Sequence, residues 1–211
     1  MIEIYPSARG MGASASAIVA GLVGARAFGD LELDDPELAR LAVRMEGHGD
    51  NVLPAMFGGL VLNSQDGWLH FDPTDQILPM ILVAAQKFKT SSARAVLPAD
   101  VPRVDAVANI SATAALLSAL IGSAPIDSLM ASTADRLHEP YRLPLMPQSL
   151  GLHEGLRGKG IPTALAGAGP SLISLVPADR IEDAKRTAEG LIPGGWEIMT
   201  PGWDLQGAKV R

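Results

Sequence analysis

The stretch that most narrows what this chain can be is Ser7-Ala8-Arg9-Gly10-Met11-Gly12-Ala13-Ser14-Ala15-Ser16. It joins a short apolar segment, Ile2 to Tyr5, to a longer one that begins Ala17-Ile18-Val19-Ala20-Gly21. The pattern reads as a strand over about 2–5, a small-residue loop, and a helix over about 14–28. A helix start leaves backbone N–H groups unpaired and carries partial positive charge, which stabilises an anion placed there. Gly10 and Gly12 let the backbone approach closely, Ser14 and Ser16 add hydroxyl donors, and Arg9 adds a guanidinium suited to phosphate. The loop is therefore a candidate phosphate cradle, although small residues at such a turn serve packing equally often. It is neither a Walker A loop, lacking Gly-Lys-Ser/Thr, nor a dinucleotide fingerprint, lacking the third glycine and the later acid.

Any anion must be held by such local groups, because the 211 residues carry a net charge of −6. That balance gives no reason to expect nucleic acid or an anionic membrane as partner. With 47% hydrophobic residues the chain can bury a core, and with no cysteine it has neither disulfides nor thiolate sites. No apolar run reaches the ~18 residues of a membrane helix. A soluble cytoplasmic protein is the expectation.

Further along, Asp34-Asp35-Pro36-Glu37 is a helix start, with a capping carboxylate and Pro in the first turn. That helix is expected to run to about Met45. Strands are expected at Leu60-Val61-Leu62, Trp68 to Phe71 and Met80 to Val83, as three neighbours of one sheet. Helical patterns follow near 91–97, 104–121, 126–137, 148–157 and 179–190, and strands near 162–166, 171–176 and 195–199. This is the α+β class. The boundary expected in the Gln86 to Ser92 region divides the chain into 1–86 and 87–211, the second part resembling a split β-α-β arrangement.

Two more segments carry chemistry. Glu46-Gly47-His48-Gly49-Asp50-Asn51 places two carboxylates, an imidazole and an amide within six residues. Mg²⁺ takes few protein oxygens when phosphate supplies the rest, so one Glu and one Ser hydroxyl suffice. Alternatively Asp50 caps the next helix and His48 is structural. Ala166-Gly167-Ala168-Gly169-Pro170 is a glycine-rich turn between apolar strands. Arg94 and Arg142 sit where a guanidinium could clamp a carboxylate, although solvation is the commoner fate of an arginine.

Taken in order, "RGMGASASAIVAG", "EGHGDNVLPAMFGG", "TSSARAVLP", "DRLHEPYR" and "GAGPSLISL" resemble the GHMP kinases, and among them the homoserine kinases. The resemblance implies transfer of the ATP γ-phosphoryl to the side-chain hydroxyl of L-homoserine. It implies that Arg9, Gly10, Met11, Gly12, Ala13, Ser14, Ala15 and Ser16 wrap the nucleotide, with ATP and Mg²⁺ as cofactors and Ser14 and Glu46 as metal ligands. His48 and Asn51 match the substrate-side wall, Arg94 and Arg142 the pair that grips the amino acid's carboxylate, and Thr90 lies one helical turn before Arg94. Gly167 and Gly169 match a supporting turn. The implied fold is an incomplete amino-terminal α/β sandwich followed by a ferredoxin-like domain, as a possible homodimer. A further amino-terminal segment is expected ahead of the loop; the alternative is a truncated relative that only binds nucleotide or a protein partner. Ala13, Met11, Gly49 and Ala112 depart from the family pattern.

Overall fold

The computed structural model describes residues 8–210 and divides into two compact units. The strand expected at 2–5 lies outside the described residues.

The first unit comprises Gly12–Pro73 and the returning segment from Trp203. Three helices, α1 (Ala13–Phe28), α2 (Asp35–Glu46) and α3 (Val52–Phe57), share one core. Ala15, Val19 and Val23 recur every four residues on α1, so one stripe faces Leu38, Ala39 and Ala42 of α2 and Val52, Leu53 and Met56 of α3. The start of α2 is a reciprocal capping box: Asp34 accepts from the Glu37 amide at 2.7 Å, and Glu37 accepts from the Asp34 amide at 2.9 Å. Gly47, at φ 88°, ends α2 in the left-handed conformation that glycine adopts without strain. An antiparallel hairpin follows, β1 (Leu60–Ser64) against β2 (Gly67–Phe71), with Phe57 stacked on Trp68 at 5.4 Å. The chain end comes back to α3: Gly59 donates to the Asp204 carbonyl and Ala208 to that of Met56.

The second unit comprises Ala8–Met11 and Thr74–Gly202. Its sheet joins β3 (Ile77–Val83), β4 (Thr163–Leu165), β5 (Leu172–Pro177) and β6 (Glu197–Met199) in the order β4-β5-β3-β6, every neighbour antiparallel. Between β3 and β4 run α4 (Thr90–Ala95), α5 (Arg103–Leu120), α6 (Leu129–Ser132), α7 (Glu139–Arg142) and α8 (Pro147–Gly158). Helix α9 (Ile181–Glu189) joins β5 to β6. Met80, Leu82 and Ala84 alternate onto one face, where they meet Leu152 and Leu156 of α8 and Ala184 and Ala188 of α9. Among the described residues no helix is long and apolar enough to cross a membrane.

Three expectations are corrected. First, β3 does not extend the β1–β2 sheet. It pairs with β5 from Ile77↔Pro177 to Leu82↔Leu172, so the chain changes units at Pro73–Thr74, ahead of the boundary expected near 86. Both faces of β3 are largely apolar, which suits the centre of a covered sheet rather than a hairpin edge. Second, the helix expected over 126–137 is only a 3-10 turn, Ile126–Ser128, and the four-residue α6. Beyond it, Asp135 accepts the Leu137 and His138 amides and so competes with helical bonding. Third, α7 forms in the "EPYR" segment, outside the expected helical ranges, and Arg142 ends that helix rather than lying at a helix or loop start.

Candidate functional site

In the first unit the candidate residues gather at the start of α1 and the end of α2. Gly12, at φ 68°, is the N-cap of α1 and brings no capping side chain, and the first turn holds no acidic residue. Ser14 donates to Glu46 Oε2 at 2.8 Å, joining two residues 32 apart in sequence. A Cβ added to Gly12 would lie 3.6 Å from Asn51 Oδ1, so the Asn51 amide stands beside the loop. Asp50 does not cap α3. Its carboxylate pairs with His48 Nδ1 instead, which orients the imidazole. Gly49 is buried, and a Cβ there would come 2.8 Å from Asn63 Cγ and from Leu53 Cδ1. A side chain at Gly49 would therefore require Asn63 and Leu53 to move.

In the second unit the loop residues Arg9 and Gly10 pack on the glycine-rich turn. The Ser171 amide donates to the Arg9 carbonyl at 3.3 Å. Gly10 has φ +79°, and a methyl there would run into the carbonyl oxygen of Ala166 and come 3.0 Å from that of Gly169. Here glycine is required by both conformation and space. The turn is held in its own right: Ser149 donates to the Pro170 carbonyl at 2.7 Å, and the Ala84 amide donates to the Ser171 hydroxyl at 3.0 Å. Arg9 Nε is buried without a hydrogen-bond partner, which marks it as a group awaiting an acceptor.

The two arginines are brought together in this unit. Arg142 donates to the Ala93 carbonyl at 3.1 Å and to the Gly167 carbonyl at 3.4 Å. Burial lowers the Arg142 pKa, the Asp135 carboxylate opposes that, and the positive charge of Arg94 lowers it further. Two cations close enough to feel one another favour an anion between them. Arg94 lies in the last turn of α4, and Thr90 opens the same helix; both are exposed. Met11, Ala13, Ala15 and Ser16 complete the loop and the first turn of α1, with the Ser16 amide donating to the Gly12 carbonyl at 3.0 Å.

Sequence reasoning missed the polar network beneath Arg142. Burial alone would raise Asp135, but hydrogen bonds from Asn109 and the Leu137 amide, the charge of His138 and the His138 amide outweigh it and hold its carboxyl below the usual range. Asn109 donates at 3.0 Å, and His138 Nδ1 lies 3.0 Å from the other oxygen. The signal was available in Asp135-Arg136-Leu137-His138-Glu139-Pro140, an Asp followed by Pro at the start of a short helix. Glu139 and His153, both buried, carried no such signal.

Residues 2–59 match the family model described as the GHMP kinases N terminal domain. The homoserine kinase of Streptomyces coelicolor is 41% identical over 97% of this chain and 67% of its own length. That of Streptomyces avermitilis is 40% identical over 97% and 68%. The chain thus spans about two thirds of the length of these curated relatives. Among solved structures, a homoserine kinase from Cytophaga hutchinsonii superposes with a TM-score of 0.81 at 24% identity, covering 96% of this chain and 69% of that one. At that identity the likeness speaks for the fold.

Proposed function

This chain belongs to the homoserine kinase family of the GHMP kinases, and from that premise we propose that it phosphorylates the side-chain hydroxyl of L-homoserine with ATP. The hydroxyl oxygen attacks the γ-phosphorus, the bond from that phosphorus to the β–γ bridging oxygen breaks, the hydroxyl proton passes to a transferred phosphoryl oxygen or to water, and O-phospho-L-homoserine and ADP leave. The hydrogen bond between Ser14 and Glu46 Oε2 carries the reading, because it joins the two oxygens that phosphoryl transfer asks of such a loop.

Those oxygens fit Mg²⁺. Both are hard donors, 2.8 Å apart, and Mg²⁺ takes one or two protein ligands together with phosphate oxygens and water. With two protein oxygens in the shell, phosphate oxygens of the nucleotide and water would complete it. When bound, Mg²⁺ neutralises charge on the β- and γ-phosphates.

The amides of Gly10 to Ser16 receive phosphate oxygens, with Arg9 beside them. Arg94 and Arg142 take the amino acid's carboxylate, Asn51 and His48 line its side, and Thr90 contributes a hydroxyl. Phosphoryl transfer needs positioning and charge stabilisation more than a strong base, and the assignment includes none. The β4-β5-β3-β6 order with α8 and α9 on one face supports reading the second unit as ferredoxin-like. The test is a coupled assay of ADP release from Mg-ATP with and without L-homoserine. The expected result is a rate that appears only with homoserine; equal rates in both remove the substrate assignment.

A further inference from the structure

Glu139 is buried, 6% exposed, at the head of the four-residue α7 that ends with Arg142. A carboxylate is costly to bury unless both oxygens are engaged. Both are. Oε1 accepts the Leu165 amide at 2.7 Å, and Oε2 lies 3.3 Å from His153 Nε2 on α8. The imidazole is too poorly aligned for a hydrogen bond, so the second contact is one of close packing, ring nitrogen against carboxylate oxygen.

Helix α7 is too short to hold itself. Four residues lie far below the length at which propensity sustains a helix, so its orientation comes from tertiary contacts. Glu139 supplies one at its first residue, and Arg142 supplies the others at its last. Moreover, the two side chains grip the same short segment from either shoulder. Glu139 takes the amide of Leu165 and Arg142 the carbonyl of Gly167, while the carbonyl between them, on Ala166, is the one packed on Gly10.

We propose that Glu139, backed by His153, is a positioning residue that sets the orientation of Arg142 and so the grip on the substrate's carboxylate. This rests on the reading of Arg142 as the carboxylate-holding arginine. Free of Glu139, α7 could rotate about its axis, and a guanidinium moved by about 1 Å loses much of its bidentate hold. Its unequal partners fit the role: a backbone amide fixes one carboxylate oxygen, and the His153 imidazole stands 3.3 Å from the other.

The test uses Glu139→Gln, which keeps the shape and an oxygen able to accept from Leu165, and His153→Gln, which leaves Glu139 intact. The first readout is the Arg142 Nε–H signal in a ¹⁵N-labelled full chain, identified by its loss in Arg142→Lys. It is expected to shift or broaden in both variants while circular dichroism and the thermal transition show folded protein. The second readout is turnover, in which the homoserine KM rises on the order of tenfold and the ATP KM changes less. An unchanged Nε–H signal in the folded variants overturns the proposal, as does an unchanged homoserine KM. Should the parent chain show no homoserine-dependent ADP release, the substrate reading fails, and the Nε–H signal still decides the role of Glu139.

Discussion

Single residues carry the proposed chemistry through short, specific contacts. Glu46 has one oxygen 2.8 Å from the Ser14 hydroxyl, and the proposed metal site rests on that pair. Glu46→Gln is therefore expected to weaken Mg-ATP binding by roughly tenfold to a hundredfold, the weight of one charge-assisted contact. Titration calorimetry checks this, and ATP without Mg²⁺ is expected to bind both proteins alike. Asp135 acts at the same scale but through pH. Its carboxyl is held below the usual aspartate range by the Asn109 and Leu137 hydrogen bonds and by His138, against the pull of burial. A depressed pKa in the folded state means stability that is present above the unfolded value, about 3.9, and lost as pH falls through the folded value. Asp135→Asn is expected to flatten the acid limb of a denaturation midpoint plotted against pH, leaving the shape near neutrality unchanged.

At the scale of elements, local signals and tertiary contacts divide the work. Helix α2 is specified locally: its capping box, its first-turn Pro36 and its Gly47 stop are all written within the segment. Asp34→Ala is expected to cost about 1 kcal/mol, within the usual 0.5–2 range for a lost N-cap, read as a shift in the urea midpoint. Helix α6 and the turn after it show the opposite balance. The apolar spacing over 126–137 suits a helix, but the helix stops at Ser132, and beyond it the Asp135 side chain takes the Leu137 and His138 amides out of helical bonding. Helix α7 is a third kind, too short to persist by propensity and held by Glu139 and Arg142.

Over the whole molecule, contacts far apart in sequence complete each unit. The segment from Trp203 closes the first one, where Gly207, at φ +63°, packs so that a methyl would strike the Met56 carbonyl oxygen and come 2.6 Å from the Gly58 amide nitrogen. Gly207→Ala is expected to destabilise that unit by about 1–3 kcal/mol, the cost of left-handed strain with a displaced backbone. Hydrogen exchange checks it, with faster exchange expected in α1 to α3 and unchanged protection in β3 and β5. The helix that follows the small-residue loop, the start and stop of α2 and the places of β1, β2 and β5 were legible in the sequence, since each is written in neighbouring residues. Residue order alone also sufficed for the family resemblance. What only tertiary structure decided is non-local: that β3 pairs with β5 and β6 rather than β2, that the chain end returns to α3, and that Glu139 meets both Leu165 and His153. Backbone pairing and burial depend on which segments meet after collapse, and an apolar strand or a buried carboxylate looks the same in sequence whichever partner it finds.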